Sequence, residues 1–258
     1  MPIDPTAIGA LTDAQRNQWT DRDTMLYALG VGAGTDDLPF TTDNSHDIAQ
    51  QVLPTFAVIC CPAFGELSVV SEVADIQDKG EGKNAIIVMR GRGTDPATGE
   101  LIAETVSTAV IRGEGGFGGQ PGQRPAAPEF PDREPDARIA METRSDQALI
   151  YRLSGDRNPL HSDPWFAREL AGFDRPILHG LCTYGFAGRA LLSELAGNDA
   201  AKLTAVSARF SAPVFPGETL TTSIWRTEPG RAVFSTEASG PDGSNARIVL
   251  DDGSAEYA

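Results

Sequence analysis

The chain has 258 residues, with 21 Lys and Arg against 36 Asp and Glu, a net charge of −15. Proteins that bind nucleic acid or anionic membranes normally present a basic face, so this balance argues against both partners. No apolar run approaches the roughly 20 residues that a membrane helix needs. The start, Met-Pro-Ile-Asp-Pro, has no basic segment followed by an apolar one, so we expect no secretory leader and a cytoplasmic protein.

The three cysteines, Cys60, Cys61 and Cys182, are odd in number and lack the spacing of a metal site. Secreted domains of this size that depend on disulfides usually carry paired cysteines. We therefore expect free and mostly buried thiols in a reducing compartment.

The first half of the chain is predicted to be a short helix followed by three strands. Met25–Gly30 carries the helix pattern. Alternating side chains with β-branched residues then predict strands at Leu67–Ile76, Ala85–Arg92 and Leu101–Arg112. Gly, Pro and Asp between the strands are typical of hairpin turns, so this region is predicted to be an antiparallel meander.

Residues 113–137 are too rich in Gly and Pro for a helix or a central strand. We interpret them as a linker between a first half, residues 1–112, and a second half, residues 138–258. Gly113-Glu-Gly-Gly-Phe-Gly118 matches the letters of a dinucleotide-binding loop. A Pro-rich stretch follows it instead of a helix, so the helix N-terminus that would bind pyrophosphate is missing and we discard this interpretation.

The second half repeats the pattern with more elements. Its predicted helices are Asp146–Leu153, a short one at Trp165–Ala171, and a long apolar one at Leu181–Leu195 whose small residues allow close approach to a sheet. Its predicted strands are one around Ser207–Phe210, then Thr219–Arg226, Ala232–Ala238 and Ala246–Glu256. A three-strand meander therefore occurs twice, with a long buried helix predicted to lie inside the second sheet.

The two halves differ in length. Tyr27 aligns with Tyr151 before the strands, whereas Glu66 aligns with Glu218 where the strands begin. The first half is shorter by about the length of a helix and a strand, and the loss falls just after Phe64-Gly65. Either this half has lost these elements, or residues that belong after Gly65 are absent from this sequence. We favour the second interpretation, which a backbone break between Gly65 and Glu66 would show.

Asp156, Asn158 and His161 lie within six residues of irregular chain between two predicted helices. A loop can point all three side chains into one cleft, where a carboxylate, an amide and an imidazole can hold a water. His and Asp are suitable proton-transfer groups at neutral pH. The alternative is that Asp156 and Asn158 only cap the turn and His161 caps the next helix.

Gly180 opens the long apolar helix directly after His179. Its N–H has no partner within the helix, and the positive end of the helix dipole lies behind it. Gly180 is therefore a candidate oxyanion donor that a substrate carbonyl can approach closely. A plain N-terminal helix glycine is the alternative.

These residues form a recognisable pattern. Tyr151–His161 and Pro176–Gly185 resemble the hydratase 2 motif of the MaoC-like, double hot-dog enoyl-CoA hydratases, nearest in style to the bacterial 3-hydroxyacyl-thioester dehydratases. The first half is similar to the same family at Tyr27–Ala33, Leu53–Phe56, Asp78–Gly80 and Gly115–Gly119. The resemblance implies an α+β double hot-dog, with two antiparallel sheets that are each wrapped around a helix.

The resemblance also implies one active site. The counterparts of Asp156, Asn158 and His161 in the first half are Gly32, Gly34 and Asp37, so that half lacks the acid–base set and is expected to hold the acyl chain. The implied reaction is the reversible hydration of a trans-2-enoyl-CoA to a (3R)-3-hydroxyacyl-CoA by a hydro-lyase without a metal or other cofactor. The implied catalytic residues are Asp156, His161, Asn158 and Gly180.

Phosphates of the substrate need local positive charge. The candidate substrate-binding residues are Arg157, Arg189, Arg209 and His179, with Lys202 as a further candidate cation. The expected partner is an acyl-CoA thioester, with acyl carrier protein as a second source of the acyl group, and we expect a homodimer.

Three other functions remain open. A hot-dog thioesterase would hydrolyse the same class of substrate, and an inactive acyl-thioester-binding subunit would only hold it. The intact pair Asp156 and His161 argues against the inactive subunit. A metal site formed by Asp156, His161 and His179 is possible on residue types, but their spacing matches no familiar ligand pattern.

Overall fold

The computed structural model of the chain describes residues 3–59, 65–123 and 126–258. The chain divides into two compact units. The first comprises Met1–Trp19 with Cys60–Ala126, and the second comprises Thr20–Ile59 with Ala127–Ala258. These units follow contacts and not the sequence repeat, so the division into residues 1–112, 113–137 and 138–258 stays a prediction.

The first unit is built on a four-stranded antiparallel sheet in the order β1-β2-β3-β4. The strands are β1 Gln15–Trp19, β2 Gly65–Asp78, β3 Ala85–Thr94 and β4 Leu101–Ile111. The three predicted strands are confirmed. Strand β1 was not predicted because Gln-Arg-Asn-Gln-Trp is almost entirely polar and gives no alternation signal.

Strand β2 begins at the place where the first half is short. Gly65 and Glu66 follow one another in β2 and pair with Trp19 and Gln18. Among residues 3–19 and 65–123 there is one short 3₁₀ turn, Pro5–Ala7, and no α-helix. The sheet of the first unit is formed without a helix from its own described residues, and the origin of the shortening stays a prediction.

The Gly-rich segment is held by one carboxylate. Asp78 accepts hydrogen bonds from the backbone N–H groups of Gly80 at 2.8 Å, Gly116 at 2.7 Å, Gly118 at 2.7 Å and Gly119 at 3.2 Å. These bonds, first of all the one from Gly116, hold the pKa of Asp78 below its usual range. The glycines therefore allow a close backbone approach to a carboxylate of the same unit.

The second unit contains four helices and a five-stranded antiparallel sheet in the order β5-β7-β8-β9-β6. The helices are α1 Asp21–Gly30, α2 Leu38–Thr41, α3 Gln147–Tyr151 and α4 Gly180–Ala196. The strands are β5 Ala137–Glu142, β6 Leu203–Phe210, β7 Thr219–Glu228, β8 Arg231–Ser239 and β9 Arg247–Tyr257. The long apolar helix and the four predicted strands are confirmed, and β5 is an additional strand.

Two shorter predictions change. The expected helix Asp146–Leu153 is α3 followed by a 3₁₀ turn at Arg152–Ser154. The expected helix Trp165–Ala171 is a single π-helical turn, Phe166–Leu170.

Helix α4 forms the centre of the second unit and packs against β5, β6, β7 and β9. Phe186, Leu191 and Leu192 are almost completely buried, and each such side chain contributes roughly 1.5–3 kcal/mol by leaving water. Two glycines on α4 have a different role from the one predicted for the small residues of this helix. A Cβ on Gly185 would lie 2.4 Å from Val31, and one on Gly188 would lie 2.3 Å from Thr55. These two glycines let the segment of residues 20–59 pack closely against α4, and their nearest neighbours are not residues of the sheet.

Cys182 lies within this core and is free, as predicted, and burial raises the pKa of its thiol. Cys60 and Cys61 lie outside the described residues. No helix in the described part of the chain is both long and apolar enough to span a bilayer.

Candidate active site

The loop after α3 is held by its own polar side chains. Gly155 has a φ of 127°, which lets the chain turn sharply. An Asp156 carboxylate oxygen accepts the backbone N–H of Asn158 at 3.1 Å. The side-chain oxygen of Asn158 accepts the N–H of Leu160 at 3.0 Å and caps the 3₁₀ turn Pro159–His161. Both side chains therefore perform the turn-forming role that the sequence left open.

A carbonyl group orients the imidazole of His161. Its Nδ1 lies 2.9 Å from the backbone oxygen of Ile177. A carbonyl oxygen can only accept, so Nδ1 carries a hydrogen. In the neutral ring the lone pair then lies on Nε2, and this nitrogen can receive a proton.

His179 lies directly behind this ring. It is 1% exposed, and its Nε2 lies 3.1 Å from the backbone oxygen of Asp156. Its ring stacks on that of His161 with centroids 3.8 Å apart and planes 28° apart. Burial, followed by the nearby His161, lowers the pKa of His179 to about 4. His179 is therefore neutral at neutral pH and donates through Nε2.

The loop and the start of α4 thus bring together three of the sequence-derived site residues. One nitrogen or oxygen from each of Asp156, His161 and His179 lies within 4.8 Å of the others. Asp156 is exposed, whereas both imidazoles lie further inside. These residue types can also hold a cation, so the expectation of a site without metal stays a prediction.

A cavity of about 310 Å³ in the second unit adjoins this cluster. His161 and Gly180 line it together with apolar side chains that include Phe173, Phe210 and Val249. Gly180 is the first residue of α4, so its N–H belongs to the helix turn whose amides have no intrahelical acceptor. The cavity therefore combines apolar walls with one imidazole and one helix N-terminus. Asp156 and Asn158 do not line it.

Two of the lining residues that the sequence analysis missed are close to Gly180. Thr183 lies one helical turn after Gly180, and this spacing alone could have identified it. Phe210, on the edge strand β6, lies beside Gly180, and a Cβ at position 180 would be 3.2 Å from its ring. Nothing local in the sequence signals this contact, because it joins a helix start to a distant strand.

Two of the candidate phosphate-binding arginines have carboxylate partners. Arg189 is largely buried and pairs with Asp37 at 2.8 Å. Arg209 pairs with Asp251 at 2.7 Å and with Asp252 at 2.8 Å. Neither arginine has an uncompensated charge to offer a phosphate.

The other two candidate cations differ from one another. Lys202 lies 3.4 Å from Asp199. Arg157 is exposed next to Asp156 and has no hydrogen bond or ion pair with a described residue. Of the four cations, Arg157 is therefore the one that the described part of the chain leaves uncompensated, although its role stays a prediction.

Comparison with known proteins connects this geometry to a family. The MaoC like domain matches residues 126–243, and the MFE-2 hydratase 2 N-terminal domain matches residues 17–64. The chain is 66% identical to 3-hydroxyacyl-thioester dehydratase Y of Mycobacterium tuberculosis, covering all of this chain and 99% of that protein. The chain belongs to the MaoC-like hydratase 2 family.

A more distant MaoC-like relative is the peroxisomal enoyl-CoA hydratase 2 of Arabidopsis thaliana, 36% identical with 86% of each chain covered. A MaoC-like dehydratase structure from Phytophthora capsici superposes with a TM-score of 0.85 at 28% identity, over 99% of this chain and 98% of that one.

The predicted α+β double hot-dog fold is confirmed, except that the described residues of the first unit include no α-helix for its sheet to wrap. A Mycobacterium tuberculosis protein whose structure is described as a double hotdog fold superposes with a TM-score of 0.56 at 18% identity, covering 97% of this chain and 96% of that one. At this identity the likeness shows the fold alone.

The chain is shorter than its 66% identical relative. The alignment with the 66% identical dehydratase extends over 287 positions, although the chain has 258 residues. That relative therefore carries residues that this chain lacks. The chain still covers the whole hydratase 2 motif at Tyr151–His161.

Proposed function

We propose that this chain catalyses the reversible hydration of a trans-2-enoyl-CoA to a (3R)-3-hydroxyacyl-CoA in fatty-acyl metabolism. One observation carries the proposal. His161, with Nε2 available as an acceptor, lines the same apolar cavity as Gly180 at the start of α4. A carboxylate oxygen of Asp156 lies within 4.8 Å of a ring nitrogen of His161. The names of the relatives, a 3-hydroxyacyl-thioester dehydratase and an enoyl-CoA hydratase, agree with this chemistry.

The Gly180 N–H is assigned to the thioester carbonyl. As water adds to the β-carbon, negative charge develops on the carbonyl oxygen of the enolate. A backbone donor in a cavity with apolar walls is suited to this charge, and one such donor is worth about 3–4 kcal/mol in an enzyme site. Glycine also fits the packing here, since a Cβ at position 180 would lie 3.2 Å from the Phe210 ring.

His161 and Asp156 are assigned to the water. Nε2 of His161 takes one proton as the water oxygen bonds to C3, and a proton then reaches C2 from the same pair of groups. The net change adds one OH and one H across the double bond, and dehydration is the reverse. The acid and base roles are assigned to the pair and not to either residue alone. Asn158 uses its side-chain oxygen in the turn, which leaves its NH₂ group for the water.

A series of trans-2-enoyl-CoA substrates of increasing acyl length tests the proposal. The purified chain is expected to remove the absorbance of the conjugated thioester and to give the 3R alcohol on chiral analysis. Release of free CoA thiol without loss of the double bond would support the thioesterase instead. Binding without turnover of any substrate would support the inactive subunit.

A separate experiment tests the expectation that the reaction needs no metal cofactor. If no metal takes part, prolonged treatment with a chelator leaves the rate unchanged. A loss of rate that Zn²⁺ or another divalent ion restores would instead make Asp156, His161 and His179 metal ligands.

We also propose that the chain acts as a homodimer in the cytoplasm and accepts the acyl group from CoA in preference to acyl carrier protein. Sedimentation of the purified chain measures its oligomeric state, and imaging of a tagged chain in cells shows its location. Competition between enoyl-CoA and enoyl-carrier substrates measures which acyl donor is preferred. A monomer, localisation to an organelle, or a faster reaction with the carrier would contradict the corresponding part.

A further inference from the structure

We propose that His179 is a positioning residue that holds the Asp156 backbone and the His161 ring in their working orientation, and that it does not bind substrate. This inference rests on the proposed hydratase function. It replaces the substrate-binding role that the sequence analysis assigned to His179.

The burial of His179 carries the first step. The residue is 1% exposed and does not line the cavity, although its neighbours Leu178 and Gly180 both do. A side chain that reaches neither solvent nor the cavity cannot contact a thioester there. Its effect on the reaction must therefore pass through the groups that it touches.

The hydrogen bond of His179 carries the second step. Nε2 donates to the backbone oxygen of Asp156 at 3.1 Å, across 23 positions of sequence. The Nδ1 atom is buried and has no hydrogen-bond partner among the described residues. The bond to Asp156 is thus the directional contact through which this ring fixes the loop against the start of α4.

The stacking of the two imidazoles carries the third step. The bond from Nδ1 of His161 to Ile177 fixes one edge of that ring but leaves its plane free to rotate about the bond. The His179 ring, stacked at 3.8 Å, restricts this rotation from one side. Together the two contacts hold Nε2 of His161 in one direction. Since misplacing a reacting group by about 1 Å can cost about 100-fold in rate, this support matters to turnover.

Three substitutions separate the two contacts. His179→Gln keeps an N–H donor near the position of Nε2 and loses the ring. His179→Phe keeps a ring for stacking and loses the donor, and His179→Ala loses both. His46→Ala is the control, because His46 is an exposed histidine in a loop. Thermal unfolding of each purified variant checks that it folds.

The expected result with an enoyl-CoA substrate is a fall in kcat of about 100-fold for His179→Ala at nearly unchanged KM. His179→Gln and His179→Phe should each recover part of this loss, and His46→Ala should match the wild type. If His179→Ala does not fold, the Gln and Phe variants decide. A raised KM with normal kcat would make His179 a substrate-binding residue, and a normal kcat in the variants would remove any positioning role. Either result overturns the proposal.

A second measurement does not depend on catalysis. Amide hydrogen exchange at residues 155–161 should be faster in His179→Phe than in the wild type, because the loop loses its bond to the core. Unchanged exchange would overturn the positioning role even in an active enzyme. A wild type with no hydratase activity but with this exchange difference would refute only the function.

Discussion

The ring of Phe210 lies against the place where a side chain at Gly180 would begin. An added Cβ would lie 3.2 Å from one ring carbon and 3.3 Å from the next. These distances are shorter than the usual separation of about 3.5–4.0 Å between carbons. A side chain at position 180 would therefore crowd Phe210 of the edge strand β6, whereas glycine at the start of α4 does not.

Gly180→Ala is therefore expected to lower kcat by about 10- to 100-fold, on the scale of losing one oxyanion donor or less. Phe210 is half exposed, so its ring can move. The double variant Gly180→Ala with Phe210→Ala should recover part of the rate, because the neighbour of the methyl group is gone. Steady-state kinetics of both variants and of Phe210→Ala alone test this. A double variant that is slower than the two single losses combined would contradict a steric cause.

Removal of the proposed proton-transfer groups should strongly reduce turnover while the fold survives. Asp156→Asn and His161→Ala should each reduce kcat by on the order of 10²–10⁴-fold, the usual contribution of a positioned acid or base. Both residues lie in or beside a surface loop, so thermal unfolding should change little. Asp174→Asn removes one exposed carboxylate of the second unit and serves as the control. Near-normal turnover in both variants would end the assignment.

Substitutions of Arg157 and Arg189 should have different effects, the first on substrate binding and the second on stability. Arg157→Ala is expected to raise KM severalfold with kcat unchanged, since Arg157 has no carboxylate partner among the described residues. Arg189→Met should lower stability, by about 3 kcal/mol, because it leaves Asp37 partly buried without its cation. Its KM should stay near the wild-type value. Reversed effects would place the phosphate at Arg189.

The buried His179 predicts a loss of stability in mild acid. Its pKa is about 4 in the folded chain and 6.5 as a model value, so the unfolded chain binds the proton more readily. The part of the unfolding free energy that depends on a neutral His179 is therefore fully present above pH 6.5, and it is lost as the pH falls towards 4. The total is about 3 kcal/mol. Denaturant unfolding across this range should show a smaller loss for His179→Gln and an unchanged loss for the control His46→Gln.

Asp78 should make the first unit sensitive to stronger acid. Four backbone N–H groups stabilise its charged form and lower its pKa below the usual 3.8. This stability is present above that value and is lost as the pH falls through the folded pKa. Asp78→Asn should unfold at a lower temperature at neutral pH, and the difference from the wild type should shrink in acid. The exposed Asp132→Asn is the control for charge alone. A pH-independent difference would show that the carboxylate charge has no part.

The sequence by itself determined much of this protein. Alternating side chains and turn residues identified the long helix α4 and seven of the nine strands that the described residues form, because these signals are local and repeat at the period of the element. They failed for β1, whose residues are polar, and for β5. The hydratase 2 motif also placed Asp156, His161 and Gly180 correctly relative to the elements, since a cap, a turn and a helix start depend on neighbours in sequence.

The tertiary structure decided which of these groups meet and what each can do. The stacking of His161 on His179, the bond to the Ile177 oxygen and the pairing of Arg189 with Asp37 join distant positions. They do so through a ring contact, a backbone oxygen and an ion pair. No periodicity encodes such contacts. The role of Gly185 and Gly188 changed for the same reason. The sequence showed that α4 has a small-residue face, and only packing decided that Val31 and Thr55 fill it.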